Sequence, residues 1–363
     1  MTTIHSIEVR AIAVERTTTL TTAYGPRNDA TTVLVQIQTD DGITGVGQAI
    51  VDQPYYGESA EGMVANIRTH LAPLLLGEDP FAIARLNDML SRALPGHNAS
   101  RSALEMALWD IKGKALRVPV YQLLGGKLRD GIEIMGSLRH ASPEAMAAEA
   151  VELLDRHRYP VIKMKTGMDV MGDTQRYAAV REAVGDRAGL QIDGNAGYSF
   201  GDALLALTAM IDTGNLVMID QPVANLDDMA DLARRLPVPL MADESIDGPR
   251  QALDIARKRA ASGGFVKISR LGGLLDVQKT TTIFEAAGMT VSMGIYYDVI
   301  AAAAAHLAAA LPAVTWPSPF TDLTGTILTE PLVPEGLLLP VPDGPGLGVK
   351  LDQELVERYT LDL

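Results

Sequence analysis

Residues 216–222 read LVMIDQP, an apolar run that stops on a carboxylate and turns at Gln-Pro. The same plan recurs on both sides, in VIKMKTG at 161–167, LQIDGNA at 190–196, PLMADES at 239–245 and FVKIS at 265–269. Short apolar runs rich in β-branched residues and bounded by Gly, Pro, Asn or Ser read as buried strands. Further runs at Ile132–Met135, Met289–Met293 and Ala313–Trp316 bring the set to eight. Successive runs start 23 (239 − 216) to 29 (161 − 132) residues apart, the length of one strand, one helix and two loops. Helix-like stretches fill the intervals at Pro143–Arg156, Thr174–Val184, Asp202–Asp212, Leu226–Arg235, Pro249–Ala260, Leu274–Ala287 and Val299–Ala310, the last of them incomplete or displaced. The pattern predicts an α/β fold, a (β/α)7-8 TIM-like barrel over 126–320, although an open doubly wound sheet satisfies the same periodicity.

Outside that region the reading changes. Residues 1–125 show alternating segments at Ile4–Val14 and Thr32–Gln38, a turn at Asp40–Gly42, and helices near Ala60–Leu75 and Arg101–Leu116, which is an α+β capping module. The tail, 321–363, alternates weakly around the turn-rich Pro342–Gly348 and is expected to return and complete the cap. A length of 363 residues suits a barrel of about 250 residues plus such an addition.

Composition narrows the function. The formal charge is −14 with no Lys/Arg-rich block, so a nucleic-acid partner is not expected. No cysteine is present, which removes disulfides, thiolate metal sites and cysteine nucleophiles and fits a cytoplasmic location. Met1–Arg10 has no apolar run after a basic start, and Ala301–Leu311 is too short to span a bilayer, so neither export nor a membrane partner is expected.

The informative feature is what ends each strand: Lys163 and Lys165 on the second, Asp193, Asp220 and Asp243 on the third to fifth, Lys267 on the sixth. Barrel active sites are built at that end. Lys163 and Lys165 are two residues apart and point the same way, so the two ammonium groups are expected to crowd each other and leave one lysine neutral enough to act as a base. The aspartates are spaced 27 (220 − 193) and 23 (243 − 220) residues apart, one β/α unit each, and three carboxylates make an oxygen site for a hard cation such as Mg²⁺. Lys267 lies beyond them from Lys165, so a metal-bound carboxylate substrate would sit between two acid/base groups.

At these residues the chain resembles the muconate-lactonizing-enzyme subgroup of the enolase superfamily, within the mandelate racemase/muconate cycloisomerase family. KMKTG matches its Lys-x-Lys, DGN, DQP and ADES its metal-bearing strand ends, and KISRLGG the opposite lysine; DDGITGVGQA, LLGG and GPGLG extend the likeness over nearly the whole chain. The resemblance implies Lys165 and Lys267 as acid/base residues, Asp193, Asp220 and Asp243 as ligands of Mg²⁺ with Mn²⁺ as a substitute, Lys163 on the substrate carboxylate, and a homo-oligomer. Asp220 departs from the glutamate usual in the family and is one methylene shorter. Asn195 and Glu244 follow the metal positions as supporting residues or, in Asn195's case, a substrate contact. The paired Asp and His of the mandelate-racemase subgroup and the Asp-x-Asp of dipeptide epimerases are absent, and His306, in an Ala-rich helix, reads as packing.

In this family the cap lays loops over the barrel mouth, here Thr19–Asn28 and Val51–Ser59, so Tyr24, Tyr55 and Tyr56 are candidate substrate contacts. Met293, Gly294, Tyr296, Asp298 and Trp316, at the seventh and eighth strand ends, are the others, with the tract TWPSPFTDL at 315–323 differing from the family in its prolines. The implied activity is an isomerase acting on a small carboxylate, by cycloisomerisation of a muconate-like diacid or racemisation/epimerisation of an amino-acid derivative. A dehydratase of the same superfamily is the alternative, and a non-catalytic, metal-stabilised binding protein the reading from another class.

Overall fold

The computed structural model describes residues 2–320 and 323–363; of the tract at 315–323, Thr321 and Asp322 lie outside the described residues. The chain opens with an antiparallel sheet of β1 (Ile4–Thr22), β2 (Gly25–Thr39) and β3 (Thr44–Ile50) in that order. A 19-residue helix, Asn98–Leu116, lies across this sheet and is buried along most of its length. Gly45 and Gly47 on β3 make the close approach possible: a Cβ on Gly47 would sit 2.0 Å from the Ala103 carbonyl oxygen.

Thr19–Asn28, expected as a loop, is instead the tip of a β-hairpin in which Thr22 pairs with Gly25. The threonine-rich run favours extended backbone, and Gly25 takes the positive φ (105°) of the reversal. The expected helix Ala60–Leu75 contains a wider turn at Ile67–Leu71, just before Pro73, whose ring nitrogen cannot donate to the preceding turn. A helix at Ile83–Ala93 was not foreseen.

The barrel strands are β4 (Gly131–Ser137), β5 (Val161–Lys165), β6 (Gly189–Asp193), β7 (Leu216–Asp220), β8 (Leu240–Ala242), β9 (Gly263–Val266) and β10 (Thr290–Met293), parallel and paired in chain order. The helices between them start on side-chain caps where the loops supply one: Ser142, Asp169, Ser199 and Asn225 each accept from a backbone N–H of the first turn. The eighth strand, expected at Ala313–Trp316, is split. Val314 makes a single parallel bridge to Val291 of β10, and β11 (Ser318–Pro319) pairs with β4, so the sheet is a nearly closed barrel rather than an open one. Pro312, Pro317 and Pro319 have no N–H to donate, which prevents a continuous ladder there.

The sixth strand also ends earlier than expected. Ile268–Leu271, placed partly in that strand by sequence, forms one helical turn directly after Lys267. That turn docks on the cap helix, where Asn98 Nδ2 donates to the Arg270 carbonyl at 2.9 Å and Arg101 Nη2 to the Leu271 carbonyl at 3.2 Å. The tail meets both units: Leu361 N donates to the Ala11 carbonyl (2.9 Å), while β12 (Leu338–Pro340) runs antiparallel beside β4. Among the described residues no helix is long and apolar enough to cross a membrane.

Candidate active site

Strand register brings the charged residues together. Lys165 pairs with Asp193 across β5 and β6, and Asp193 with Asp220 across β6 and β7; Asp243 and Lys267 follow the last residues of β8 and β9. Side chains at a two-residue period share a face, so this layer stands above Lys163, Gln191, Met218, Met241 and Phe265, the residues two positions earlier. Just past the strand ends, Asn195, Ala196, Gln221, Tyr296 and Asp298 hold positive φ angles of 41°, 57°, 28°, 54° and 46°. Such backbone strain in non-glycine residues is retained where surrounding contacts enforce it.

Lys163 Nζ lies 2.8 Å from Asp193 Oδ2 and 2.7 Å from Asp220 Oδ2. Lys165 Nζ donates to the same Asp193 oxygen at 2.6 Å and to Asn195 Oδ1 at 2.9 Å. Lys267 Nζ donates to Asp243 Oδ2 at 2.6 Å. Burial opposes the charge on Lys163, but Asp193 and Asp220 outweigh it and hold the ammonium above the ordinary lysine range. Lys163 is therefore not the neutral member expected of the Lys163 and Lys165 pair; the carboxylates, and not lysine crowding, set its ionisation. Burial likewise opposes ionisation of Asp193, and Lys163 and Lys165 overcome it, holding this carboxyl well below its usual value. Asp220 goes the other way, pushed up by burial and by the neighbouring Asp193 and Asp243 despite Lys163. Glu244 is raised by burial and by Asp243 and Asp193.

Ligand atoms of Asp193, Asp220 and Asp243 lie within 4.8 Å of one another. Asp220 Oδ1 and Glu244 Oε2 are buried and accept no hydrogen bond among the described residues. An all-carboxylate donor set with an unused buried oxygen fits a hard divalent cation of the Mg²⁺ class. Gln221, which sequence did not single out, ties the ligand strands together: its Oε1 accepts from Asp243 N at 2.8 Å, and its Nε2 donates to the Val223 carbonyl at 2.8 Å. Asn195 has a comparable role, since its Nδ2 donates to Glu244 Oε1 at 3.1 Å while its Oδ1 holds Lys165.

Lys163, Lys165, Asp193, Asn195, Asp243 and Lys267 line one cavity of about 420 Å³ between barrel and cap. Tyr24, Tyr55, Gly294 and Tyr296 line it as well; Tyr56 stands behind, its hydroxyl 2.9 Å from that of Tyr296. Met293, Asp298 and Trp316 are not on the cavity wall. Met293 alternates with Gly294 and so faces the helices, fully buried. Asp298 starts the Asp298–Ala310 helix and accepts from the Thr326 hydroxyl. Trp316 packs on Met218, Met241 and Phe265 and donates to Gln191 Oε1 at 2.7 Å, in the layer beneath the carboxylates. His306 is buried where the Ala-rich helix meets Tyr121, and its Nδ1 accepts from Tyr121 N at 3.2 Å.

The chain is similar to known proteins over nearly its whole length. Residues 6–125 match the mandelate racemase/muconate lactonizing enzyme N-terminal domain, and residues 145–355 the enolase C-terminal domain-like family. Muconate cycloisomerase 1-1 of Acinetobacter lwoffii is 36% identical over 349 residues, covering 94% of this chain and 91% of that one. N-succinyl-L-Arg/Lys racemase of Bacillus cereus is 30% identical over 369 residues, covering 99% and 98%. The crystal structure of muconate lactonizing enzyme from Pseudomonas fluorescens, complexed with muconolactone, superposes with a TM-score of 0.94 at 32% identity, covering 99% of this chain and 100% of that one.

Proposed function

The chain belongs to the mandelate racemase/muconate lactonizing enzyme family and is an enolase-superfamily isomerase, and from that premise we propose that Lys165 and Lys267 move a proton at the carbon next to a small substrate's carboxylate. The observation that carries this reading is that both lysines face one cavity from opposite flanks of the three aspartate-bearing strand ends. In our reading Asp193, Asp220 and Asp243 hold Mg²⁺, or Mn²⁺ in its place. The bound ion would supply positive charge to offset the negative charge that develops on the substrate carboxylate.

Lys163 contributes a fixed ammonium beside that carboxylate; its two aspartate partners leave it in the charged form. Lys165, oriented by Asp193 and Asn195, serves one face of the substrate, and Lys267, oriented by Asp243, serves the other. One takes the α-proton and the other returns a proton or stabilises the enolate. Tyr24, Tyr296, Ile295 and Phe265 close the cavity around the substrate body and limit water access. Racemisation/epimerisation starts with removal of the α-proton, whereas cycloisomerisation reaches the same kind of enolate when a substrate carboxylate oxygen adds to the conjugated double bond, after which one lysine delivers a proton to the α-carbon. Self-association into a symmetric homo-oligomer is part of the same proposal, and sedimentation at micromolar concentration tests it.

The functional test is turnover of a panel of muconates, N-acyl amino acids, dipeptides, proline betaines and sugar acids before and after exhaustive chelation. Activity should vanish on chelation and return with Mg²⁺. A lactone product marks a cycloisomerase, an inverted centre a racemase or epimerase, and loss of water a dehydratase. Turnover that survives complete metal removal would contradict the metal assignment.

A further inference from the structure

The two lysines are not held alike. Lys165 takes both its side-chain partners, Asp193 and Asn195, from the barrel. Lys267 takes Asp243 from the barrel, but its second partner is the Tyr55 hydroxyl, at 2.6 Å, from the capping unit. That hydroxyl in turn donates to Asp243 Oδ1 at 2.5 Å, so the lysine, the tyrosine and both oxygens of one carboxylate close a ring of hydrogen bonds.

The rest of Tyr55 is gripped as well. Lys267 Nζ lies 4.0 Å from its ring centroid and the Arg270 guanidinium 4.8 Å. Arg270 Nη1 donates to the Tyr55 carbonyl at 3.0 Å, and Tyr24 and Tyr56 meet the ring edge-on, with centroids 5.7 and 5.0 Å away. Asp52 caps the short Gln53–Tyr56 turn and is ion-paired with Arg27 of the hairpin. The turn is therefore anchored at both ends, and the hydroxyl is fixed against Lys267. A lysine ammonium on a four-carbon stem has several rotamers of similar energy, and one charge partner leaves its terminal torsion free. A second, immobile oxygen removes that freedom.

We propose that Tyr55 is a positioning residue for Lys267, so that the capping unit governs one of the two proton-transfer faces and leaves the other to the barrel alone. The proposal deepens the function given above and rests on it. A misplacement of about 1 Å at a reacting group costs about 100-fold in rate, and Tyr55→Phe removes the oxygen while keeping the ring and its packing.

The Mg²⁺-loaded full chain, as wild type and as Tyr55→Phe, is followed by proton NMR in D₂O with N-succinyl-L-arginine and N-succinyl-D-arginine in separate samples. Exchange of one enantiomer's α-proton should fall about 10- to 100-fold while the other stays within about threefold. The affected enantiomer should be the one whose exchange Lys267→Ala removes. Equal losses for both enantiomers, or none, would overturn the proposal.

Wild-type protein that exchanges neither enantiomer would count against the proposed function with this probe, and Tyr55 is then judged without substrate. N-hydroxysuccinimidyl acetate labels Lys165 and Lys267 in one sample, and digestion followed by mass spectrometry gives the ratio of their rates. Tyr55→Phe should raise the Lys267:Lys165 ratio at least threefold; an unchanged ratio overturns the positioning role.

Discussion

The barrel wall and the cap wall reach the same cavity by different means. On the barrel side each charged group is set by its strand, and its partner stands one strand over: Lys165 and Lys163 with Asp193, and Lys267 with Asp243. On the cap side the aromatic wall rests on a hairpin tip and one helical turn, fixed by contacts spanning 188 residues to Asp243 and 212 to Lys267. The first arrangement is rigid because the sheet is rigid. The second can vary without disturbing the sheet, which suits a wall that selects substrates and, through Tyr55, positions one of the two lysines.

The largest effects should come from the lysines. Lys165→Ala and Lys267→Ala are each expected to lower turnover by about 100- to 10,000-fold, the usual worth of a general acid or base, with unchanged circular dichroism. Near-wild-type turnover in either variant would erase the distinction between a chemical wall and a selective one. Next in size, Asn195→Ala should weaken exchange on the Lys165 face by about 10-fold and spare the Lys267 face, the mirror image of the Tyr55 result. Equal effects on both faces would mean that Asn195 acts through the ligand strands, by way of Glu244.

Smaller effects should appear as stability. In Gly47→Ala a new Cβ meets the Ala103 carbonyl, so the cap helix must move; a loss of about 1–3 kcal/mol is expected by calorimetry. Because the strain lies in the cap, KM should change more than kcat. Last comes His306, where barrel and cap meet. Burial lowers its pKa from 6.5 in the unfolded chain to about 4 in the folded protein. The folded state therefore binds fewer protons in that window, so stability is full above pH 6.5 and is lost as pH falls toward 4, by at most about 3 kcal/mol. His306→Gln should flatten that part of the stability profile, and a slope unchanged by the substitution would assign it to other groups.

The same contrast explains what could be read in the sequence. Val161–Lys165 and Leu216–Asp220 are found with the bounds expected of them, because strands buried on both faces are continuous apolar runs that stop where the site begins. Parallel register then makes neighbours of Asp193 and Asp220 without further information. The eighth strand is split between Val314 and Ser318–Pro319 because the prolines that follow Trp316 interrupt the ladder, a break that the apolar run Ala313–Trp316 does not itself reveal. Asp298 was misplaced because Tyr296 and Asp298 reverse the chain with positive φ, which neither residue type advertises. Repulsion between Lys163 and Lys165 follows from their spacing in the sequence, but the Asp193 carboxylate that lies within 2.8 Å of both comes from the next strand. Tyr55 was visible as a loop tyrosine, but its contact with Lys267 comes from the docking of one unit on another, which local sequence does not encode.

The central claim, that this cavity removes a proton next to a carboxylate, is tested most directly by the α-proton signal of candidate substrates with the Mg²⁺-loaded wild-type chain in D₂O. Loss of that signal in the wild type, and its persistence when both Lys165 and Lys267 are replaced by alanine, is the predicted result. Exchange that continues in the double variant would contradict the account.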